Sequence, residues 1–267
     1  MTKFIENVGR DTLKRLDYVG GLSMGLWAAV RALGTTLPVT GNRYRWKASV
    51  VQMLEIGVEA IPMVGLMAMC CGFILAMQGG SELRRYGAMS LVIDLVAIGF
   101  TREIGPLLAA IAVSGRSGSA ISAEIGTMMV SEEIDTLKVM AIDPIEFVVA
   151  PKLLAALITI PCLTVVCNVF GIFAGWIFMF FSTHLGLKLY VHEVFDSLVL
   201  RDVVSGIIKS IAFAAIIVLV GCMEGFSVRG GPEAVGRSTT AAVVKSTFLV
   251  IVADMFFTAI FYFTGKH

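Results

Sequence analysis

The stretch from residue 101 to residue 146 decides the fold, and it reads TREIGPLLAAIAVSGRSGSAISAEIGTMMVSEEIDTLKVMAIDPIE. It opens inside an apolar region with the charged pair Arg102 and Glu103, and it then runs through a series of small residues. A short acidic stretch follows, which Asp143 and Pro144 close. Charged side chains are rare inside apolar segments, so this stretch marks both a membrane-embedded charge and a segment that leaves the membrane.

The acidic stretch is predicted to form a short amphipathic helix over residues 131–141. Ser131 is suited to cap its N-terminus, and Leu137 lies on its apolar face. Its first turn carries carboxylates, which the positive end of the helix dipole favours: Glu132, Glu133 and Asp135. Asp143 is predicted to cap a new helix that starts at Pro144, so the chain turns sharply there.

The motifs EIGP, SGRSGSAISAEIGTM and EEIDTLKVMAIDP in this stretch resemble the signature of the MlaE (YrbE) family of permeases. Members of that family are the membrane subunits of ABC-type lipid transporters that work with MCE-domain proteins. The resemblance implies a homodimer that moves phospholipid, a cytoplasmic ABC ATPase that binds ATP and Mg²⁺, a periplasmic MCE-domain assembly and, as an optional partner, a small STAS-domain protein. It also implies that helix 131–141 couples the chain to the ATPase through Glu132, Glu133, Asp135 and Leu137.

The composition is that of an integral membrane protein. Of 267 residues, 57% are hydrophobic and only 15% are charged, and the mean hydropathy is +0.86. A helix needs about 20 apolar residues to span the hydrocarbon layer. Five segments are long enough: 51–80, 86–113, 145–187, 203–223 and 246–265. We therefore predict an all-α membrane fold with about five transmembrane helices.

The residues before the first crossing are predicted to form a separate region. Residues 1–50 are rich in Lys and Arg, and apolar residues recur at helical spacing between Leu22 and Leu33, so we expect an interfacial amphipathic helix there. Residues 51–267 would form the permease domain. Lys and Arg concentrate on the N-terminal side of the membrane, which predicts a cytoplasmic N-terminus and a periplasmic C-terminus. The resemblance places the chain in the bacterial inner membrane, and a net charge of +1 gives no reason to expect nucleic acid as a partner.

Enzyme motifs are missing from the sequence. It contains no GxxxxGK[ST], no HExxH and no GxSxG. The five cysteines all lie in apolar segments, which favours buried small residues over a metal site or a disulfide. We therefore expect no catalytic activity, no metal site and no cofactor in this chain, and we expect the energy for uphill transport to come from a partner.

Ionisable residues inside the predicted crossings are the best candidates for function. On insertion scales each costs about 2.5–3.5 kcal/mol at the centre of a membrane, so such residues should face protein or water and find partners. They are Asp94, Arg102, Glu103, Lys209 and Asp254. Two roles stay open for them: ion pairs that hold the bundle together, or a network that controls gating or the passage of a lipid headgroup.

The lipid site is predicted at the outer end of the first crossing. Glycines recur every seven residues there, at Gly65, Gly72 and Gly79, which favours the close approach of another helix. A permease of five crossings is too small to enclose a two-tailed lipid, so the cavity is expected between two copies of the chain. Its predicted lining residues are Leu75, Gln78, Leu83 and Tyr86, with the tyrosine near the headgroup level.

Two other functions stay open from the sequence. An ion-coupled secondary carrier would use Asp94, Glu103 and Asp254 as proton sites. A membrane scaffold would transport nothing. Association with an ATPase separates the ABC permease from both alternatives, whereas dependence on a proton gradient without nucleotide indicates the carrier.

Overall fold

The computed structural model describes residues 43–264 and, before them, only Gly20, Trp27 and Arg31. Residues 43–264 are almost entirely helical and contain no strand. A 3-10 turn, Val58–Ala60, joins the first two helices. The helices of this range, numbered in chain order, are α1 (Arg43–Ile56), α2 (Ile61–Arg85), α3 (Leu91–Val130), α4 (Glu133–Val139), α5 (Ile145–Thr183), α6 (Leu187–Ser197), α7 (Leu200–Phe226) and α8 (Pro232–Thr264).

Five helical spans in the described residues are long and apolar enough to cross a membrane, which confirms the predicted all-α membrane fold. Helices α1 and α2 together form the first span, and α3, α5, α7 and α8 form the others. The predicted interfacial helix falls within residues 1–50, most of which lie outside the described residues. That helix and the division of the chain at residue 50 therefore stay predictions.

The bounds of several helices differ from the predicted ones. Helix α3 is 40 residues long, or about 60 Å, so it extends well beyond the predicted crossing 86–113. Helix α8 begins at Pro232 rather than near residue 246, and α4 is shorter than the predicted 131–141. The length of an apolar run predicts the part of a helix that lies inside lipid, but it does not show how far the helix continues into water with polar residues.

Short helices mark the two ends of the bundle, because successive spans alternate in direction. Helix α4 links α3 to α5 at one end, called here the α4 end, and α6 links α5 to α7 at the α6 end. Helix α6 was not predicted from the sequence, because the third crossing was expected to extend to residue 187, whereas His184 ends α5 in a left-handed conformation (φ 55°). Buried Tyr190 anchors α6 by donating a hydrogen bond to the carbonyl of Ile172 at 3.0 Å. Burial raises the pKa of this phenol.

Helices α3, α5 and α7 form the centre of the bundle, and α2 and α8 flank it. Helix α2 packs along α5, whereas α8 packs on α7 and α3, and α2 and α8 make at most a marginal contact with each other. One face of α3 therefore stays partly exposed between them, and we call this face the α3 groove. It contains residues spaced by four positions: Leu95, Gly99, Glu103, Leu107, Ile111 and Gly115.

Two π turns keep these positions on one face of α3. In a regular α-helix, positions four apart drift around the axis because a turn takes 3.6 residues. The π turns at Phe100–Ile104 and Ser114–Gly118 use wider i→i+5 hydrogen bonds, which offsets that drift. The groove consequently runs along most of the helix instead of winding away from it.

Glycines allow α2 to approach its neighbours closely, as the seven-residue spacing predicted. A Cβ atom on Gly72 would collide with the backbone of Gly171 in α5, and a Cβ on Gly79 would collide with the side chain of Leu95 in α3. Gly65 faces the ring of Phe170. The close approach is thus satisfied inside one chain, between α2, α5 and α3.

We predict that Gly72→Ala destabilises the bundle, because the new methyl group has only the backbone of Gly171 to displace. Overpacking of this kind costs roughly 1–3 kcal/mol. Gly115→Ala is the matched control, since a Cβ there meets nothing within 4 Å and alanine favours the helix equally at both positions. Thermal unfolding in detergent should give a lower midpoint for Gly72→Ala than for the control, and equal midpoints would contradict the packing.

Candidate functional site

Three helices meet at the ammonium group of Lys209, a residue that is only 1% exposed. Its Nζ donates to Glu103 Oε2 of α3 at 2.5 Å and to Thr258 Oγ1 of α8 at 2.8 Å. Asp254 Oδ1 of α8 lies 2.9 Å from the same nitrogen without the angle of a hydrogen bond, so that contact is an ion pair. The Thr258 hydroxyl in turn donates to Glu103. We call these four residues the Lys209 cluster.

The Lys209 cluster lies deep in the bundle and is open on one side. Lys209 is about 14 Å along the helix axis from Leu200, and Asp254 is about 15 Å from Thr264, close to half the thickness of a hydrocarbon layer. The Glu103 side chain is 37% exposed in the α3 groove, whereas Asp254 is largely covered. A carboxylate at such depth needs water or protein on its open side rather than lipid tails. The α3 groove must therefore be hydrated or closed by another protein surface.

The structure brings together three of the five predicted intramembrane charges. Arg102 points away from the cluster and pairs with Asp202 at the start of α7, with 3.6 Å between Arg102 Nε and Asp202 Oδ1. Asp94 forms no ion pair with any residue that the structure describes. It lies in the first turn of α3, where the helix dipole favours a carboxylate without a partner. The predicted five-membered network is thus one cluster, one separate pair and one isolated side chain.

The sequence analysis missed Asp202 and Thr258. Asp202 looked like an ordinary residue near a membrane surface, although its place just inside the start of α7 was a signal for capping, and its Oδ2 does accept from the N–H of Val199 at 3.2 Å. Thr258 carries no charge, so nothing in its apolar surroundings singled it out.

The four predicted lipid contacts differ in their exposure. Leu75 and Leu83 are partly buried against the hydrophobic core, and Leu75 lies beside Gly99 of the α3 groove. Gln78 is exposed, and Tyr86 is 80% exposed, at the α6 end of α2. Exposed Leu95 lies next to Gly79. Gln78, Tyr86 and Leu95 therefore form the open surface of this region.

The predicted coupling residues lie on α4 and the turn before it. Glu132, Glu133 and Asp135 are exposed, but Leu137 packs against the core and buried Ile134 anchors the helix. The exposed apolar side chain that the sequence analysis missed is Val139, which is 89% exposed. It was overlooked because Leu137 was expected to be the apolar contact residue of this helix.

The predicted cap of α4 is wrong, and that of α5 is confirmed. Ser131 donates its hydroxyl to the carbonyl of Thr127 at 3.0 Å, and Glu132, in a left-handed conformation (φ 59°), precedes the helix. Asp143 Oδ1 accepts from the N–H of Ile145 at 2.9 Å, so the carboxylate satisfies a free donor at the start of α5.

Further polar contacts tie the helices together between the Lys209 cluster and the α4 end. The ion pairs are Lys152 with Glu124 at 2.6 Å, Lys245 with Glu224 at 2.7 Å, and Arg116 with Glu59. Two serine pairs join α3 to α8: Ser114 with Ser246 at 2.6 Å and Ser122 with Ser238 at 2.9 Å. The members of each pair are far apart in sequence, so their partners could not be assigned before the structure.

The chain is similar to known transport proteins over nearly its whole length. Residues 49–260 match the family model described as Permease MlaE. A probable ABC transporter permease protein of Rickettsia felis is 34% identical over 256 residues, which cover 96% of each chain. The intermembrane phospholipid transport system permease protein MlaE of Haemophilus influenzae is 30% identical over 266 residues, 99% of this chain and 100% of the relative. The chloroplastic protein TRIGALACTOSYLDIACYLGLYCEROL 1 of Arabidopsis thaliana is 32% identical over 241 residues, 90% of this chain and 69% of the relative.

We predict strong coupling within the Lys209 cluster. Lys209→Met leaves two carboxylates facing each other, and breaking a buried pair in this way costs about 3–5 kcal/mol. Adding Glu103→Gln removes one of the uncompensated charges, so the double variant should be less destabilised than the sum of the two single variants. Unfolding in detergent measures the cycle, with Arg85→Gln, which removes a surface pair with Glu82, as the control. Additive losses would show that the cluster is not an energetic unit.

Proposed function

Because the chain belongs to the MlaE permease family, we propose that it is the membrane subunit of an ABC-type transporter that moves phospholipid and is driven by a separate ATPase. The observation that carries the proposal is α4, a seven-residue helix held outside the spans by buried Ile134. Its carboxylates and Val139 face away from the bundle, which gives a partner both a charge pattern and an apolar anchor. The ATPase binds ATP and Mg²⁺, and this chain supplies the path for the lipid.

In this proposal the α4 end faces the cytoplasm. The positive-inside distribution of Lys and Arg supports this orientation. The α6 end and the C-terminus then face the periplasm, where an MCE-domain assembly receives or delivers lipid, and the membrane is the bacterial inner membrane. A STAS-domain protein is an optional cytoplasmic subunit. Phospholipid is proposed as the cargo because the similar protein of Haemophilus influenzae is the permease of an intermembrane phospholipid transport system.

The lipid path in this proposal is the α3 groove, closed by a second copy of the chain. Glu103 is open to that groove at a depth where hydrocarbon cannot solvate a carboxylate. A homodimer would cover the groove and leave a hydrated passage with apolar walls such as Leu107 and Ile111. The exposed surface around Gln78 and Tyr86 would form its mouth at the α6 end.

The geometry of the Lys209 cluster favours a structural role, in which its ion pairs hold the helices together, over a proton relay. A carrier coupled to protons would need carboxylates that bind and release a proton in each cycle. Both carboxylates of the cluster contact the same buried ammonium group, so they serve as ion-pair partners that join α3 and α8 to α7. The carrier is therefore the weaker alternative.

We predict that charge reversal at Glu132 and Glu133 uncouples the ATPase. Both side chains are exposed, so the double Lys variant should insert and fold normally. Loss of two complementary contacts should lower ATPase association or stimulation roughly tenfold or more. Glu82→Lys, an exposed reversal at the opposite end of the bundle, serves as the control. Unchanged ATPase binding in the double variant would remove α4 as the docking element.

Photocrosslinkers test the position of the lipid. A photoreactive residue at Gln78 or Tyr86 should capture phospholipid in the assembled transporter, because both positions open onto the proposed mouth. Phe181 on α5 is 75% exposed and belongs neither to the α3 groove nor to its proposed mouth, so it reports ordinary membrane lipid. Equal labelling at Phe181 would place the cavity elsewhere.

A further inference from the structure

A small cavity of about 220 Å³ lies at the α6 end between α3, α7 and α8. Its polar lining comes from Arg102, Arg201, Asp202, Ser205 and Thr264. Its apolar lining includes Val204, Ile208 and Ile260. The cavity contains none of the residues of the Lys209 cluster, and none of the four predicted lipid contacts lines it.

The cavity has an excess of positive charge with unused hydrogen-bond donors. It holds two guanidinium groups and one carboxylate. Arg102 reaches Asp202 only at 3.6 Å, and its side chain stays 43% exposed. Neither Arg102 nor Arg201 donates a hydrogen bond to another residue that the structure describes. A guanidinium carries five N–H donors in a planar fork that matches the oxygens of a phosphate group.

Asp202 carries a single negative charge, so it cannot neutralise both arginines, and one of its two oxygens is held by another contact. Its Oδ2 accepts from the N–H of Val199, and this hydrogen bond caps α7. The remaining oxygen, Oδ1, is the one that faces Arg102. One positive charge of the cavity is therefore left for a ligand.

The polar and apolar parts of the cavity lining are arranged like the headgroup and the acyl chains of a lipid molecule. Along α7, Arg201 precedes Ile208 by about 10 Å, and along α8, Ile260 precedes Thr264 by about 6 Å. Arg201 and Asp202 thus lie at the start of α7, at headgroup level, where the Arg102 side chain reaches Asp202 from α3. Ile208 and Ile260 lie deeper, at the level of acyl chains. A small soluble anion would need the arginines alone, whereas a phospholipid uses both parts of the cavity.

We propose that this cavity binds the phosphate of an anionic phospholipid from the leaflet at the α6 end, with an acyl chain along Ile208 and Ile260. The phosphodiester oxygens accept hydrogen bonds from Arg102 and Arg201, in the bidentate manner that guanidinium groups favour. The site is distinct from the α3 groove, and it does not depend on the proposed transport function. A lipid bound there bridges α7 and α8, the two helices that carry Lys209 and Asp254.

Quenching of a tryptophan placed in the cavity tests this proposal. The Ile260→Trp variant is reconstituted in vesicles that contain dibrominated phosphatidylglycerol or dibrominated phosphatidylcholine, and the signal of the unsubstituted protein is subtracted. The anionic lipid should bind at this position at least about fivefold more strongly, since one cationic side chain near a membrane surface favours anionic lipid by about that factor. Equal quenching by the two lipids would overturn the proposal.

Three further substitutions in the Ile260→Trp variant are expected to change the preference for phosphatidylglycerol, two in one direction and one in the other. Arg201→Gln and Arg102→Gln should each reduce the preference for phosphatidylglycerol by about fivefold. Asp202→Asn should increase it, because the amide oxygen still caps α7 while the competing negative charge is gone. Arg84→Gln is the control, since Arg84 is exposed at the same end of the bundle but does not line the cavity. An unchanged preference in both arginine variants, or a reduced one in Asp202→Asn, would contradict the assignment.

A competition experiment separates a lipid from a free anion. Millimolar inorganic phosphate should leave the preference for phosphatidylglycerol in place, because free phosphate gains nothing from the apolar lining. If inorganic phosphate abolishes the preference, the cavity is a site for soluble phosphate, and the lipid assignment is wrong.

Discussion

The ammonium group of Lys209 is the point on which the arrangement of α3, α7 and α8 depends. A buried cation is costly to remove from water, and the cost is offset only where carboxylates and hydroxyls surround it closely. Glu103, Asp254 and Thr258 supply those partners from two other helices. The three helices therefore have one register in which the charge is satisfied, and sliding any of them by a turn leaves it unpaired.

The remaining contacts make that register compatible with a bundle in lipid. Hydrophobic burial gives little drive for association between helices that are already surrounded by hydrocarbon, so close packing and polar contacts replace it. The contact of Gly72 with Gly171 provides close packing on one side of the bundle. Serine pairs such as Ser114 with Ser246 provide polar contacts on the other side. Because α2 and α8 each pack on the central helices and not on each other, the α3 groove stays open along the chain.

Sequence reasoning could predict what depends on local pattern. The five spans follow from apolar run length, and the cap at Asp143 follows from residue types at short spacing. The pairing of Glu103, Lys209 and Asp254 could be expected, because charged side chains deep in a membrane need partners. Arg102 instead pairs with Asp202, which lies outside the apolar part of α7. The rotation of α2 about its axis could not be predicted from its sequence, and Leu75 and Leu83, which were expected to line a cavity, are partly buried against the core. Helix α6 was missed because its mixed composition resembles neither a span nor a loop.

The central claim is that lipid movement through this subunit is driven by a partner ATPase and not by an ion gradient carried through its own carboxylates. Transfer of labelled phospholipid in proteoliposomes tests it most directly, with the chain co-reconstituted with the ABC ATPase and the MCE-domain protein that are proposed as its partners. The account predicts transfer that requires ATP hydrolysis and continues when an ionophore abolishes the proton gradient. Transfer that proceeds without nucleotide and stops when the gradient is abolished would contradict it.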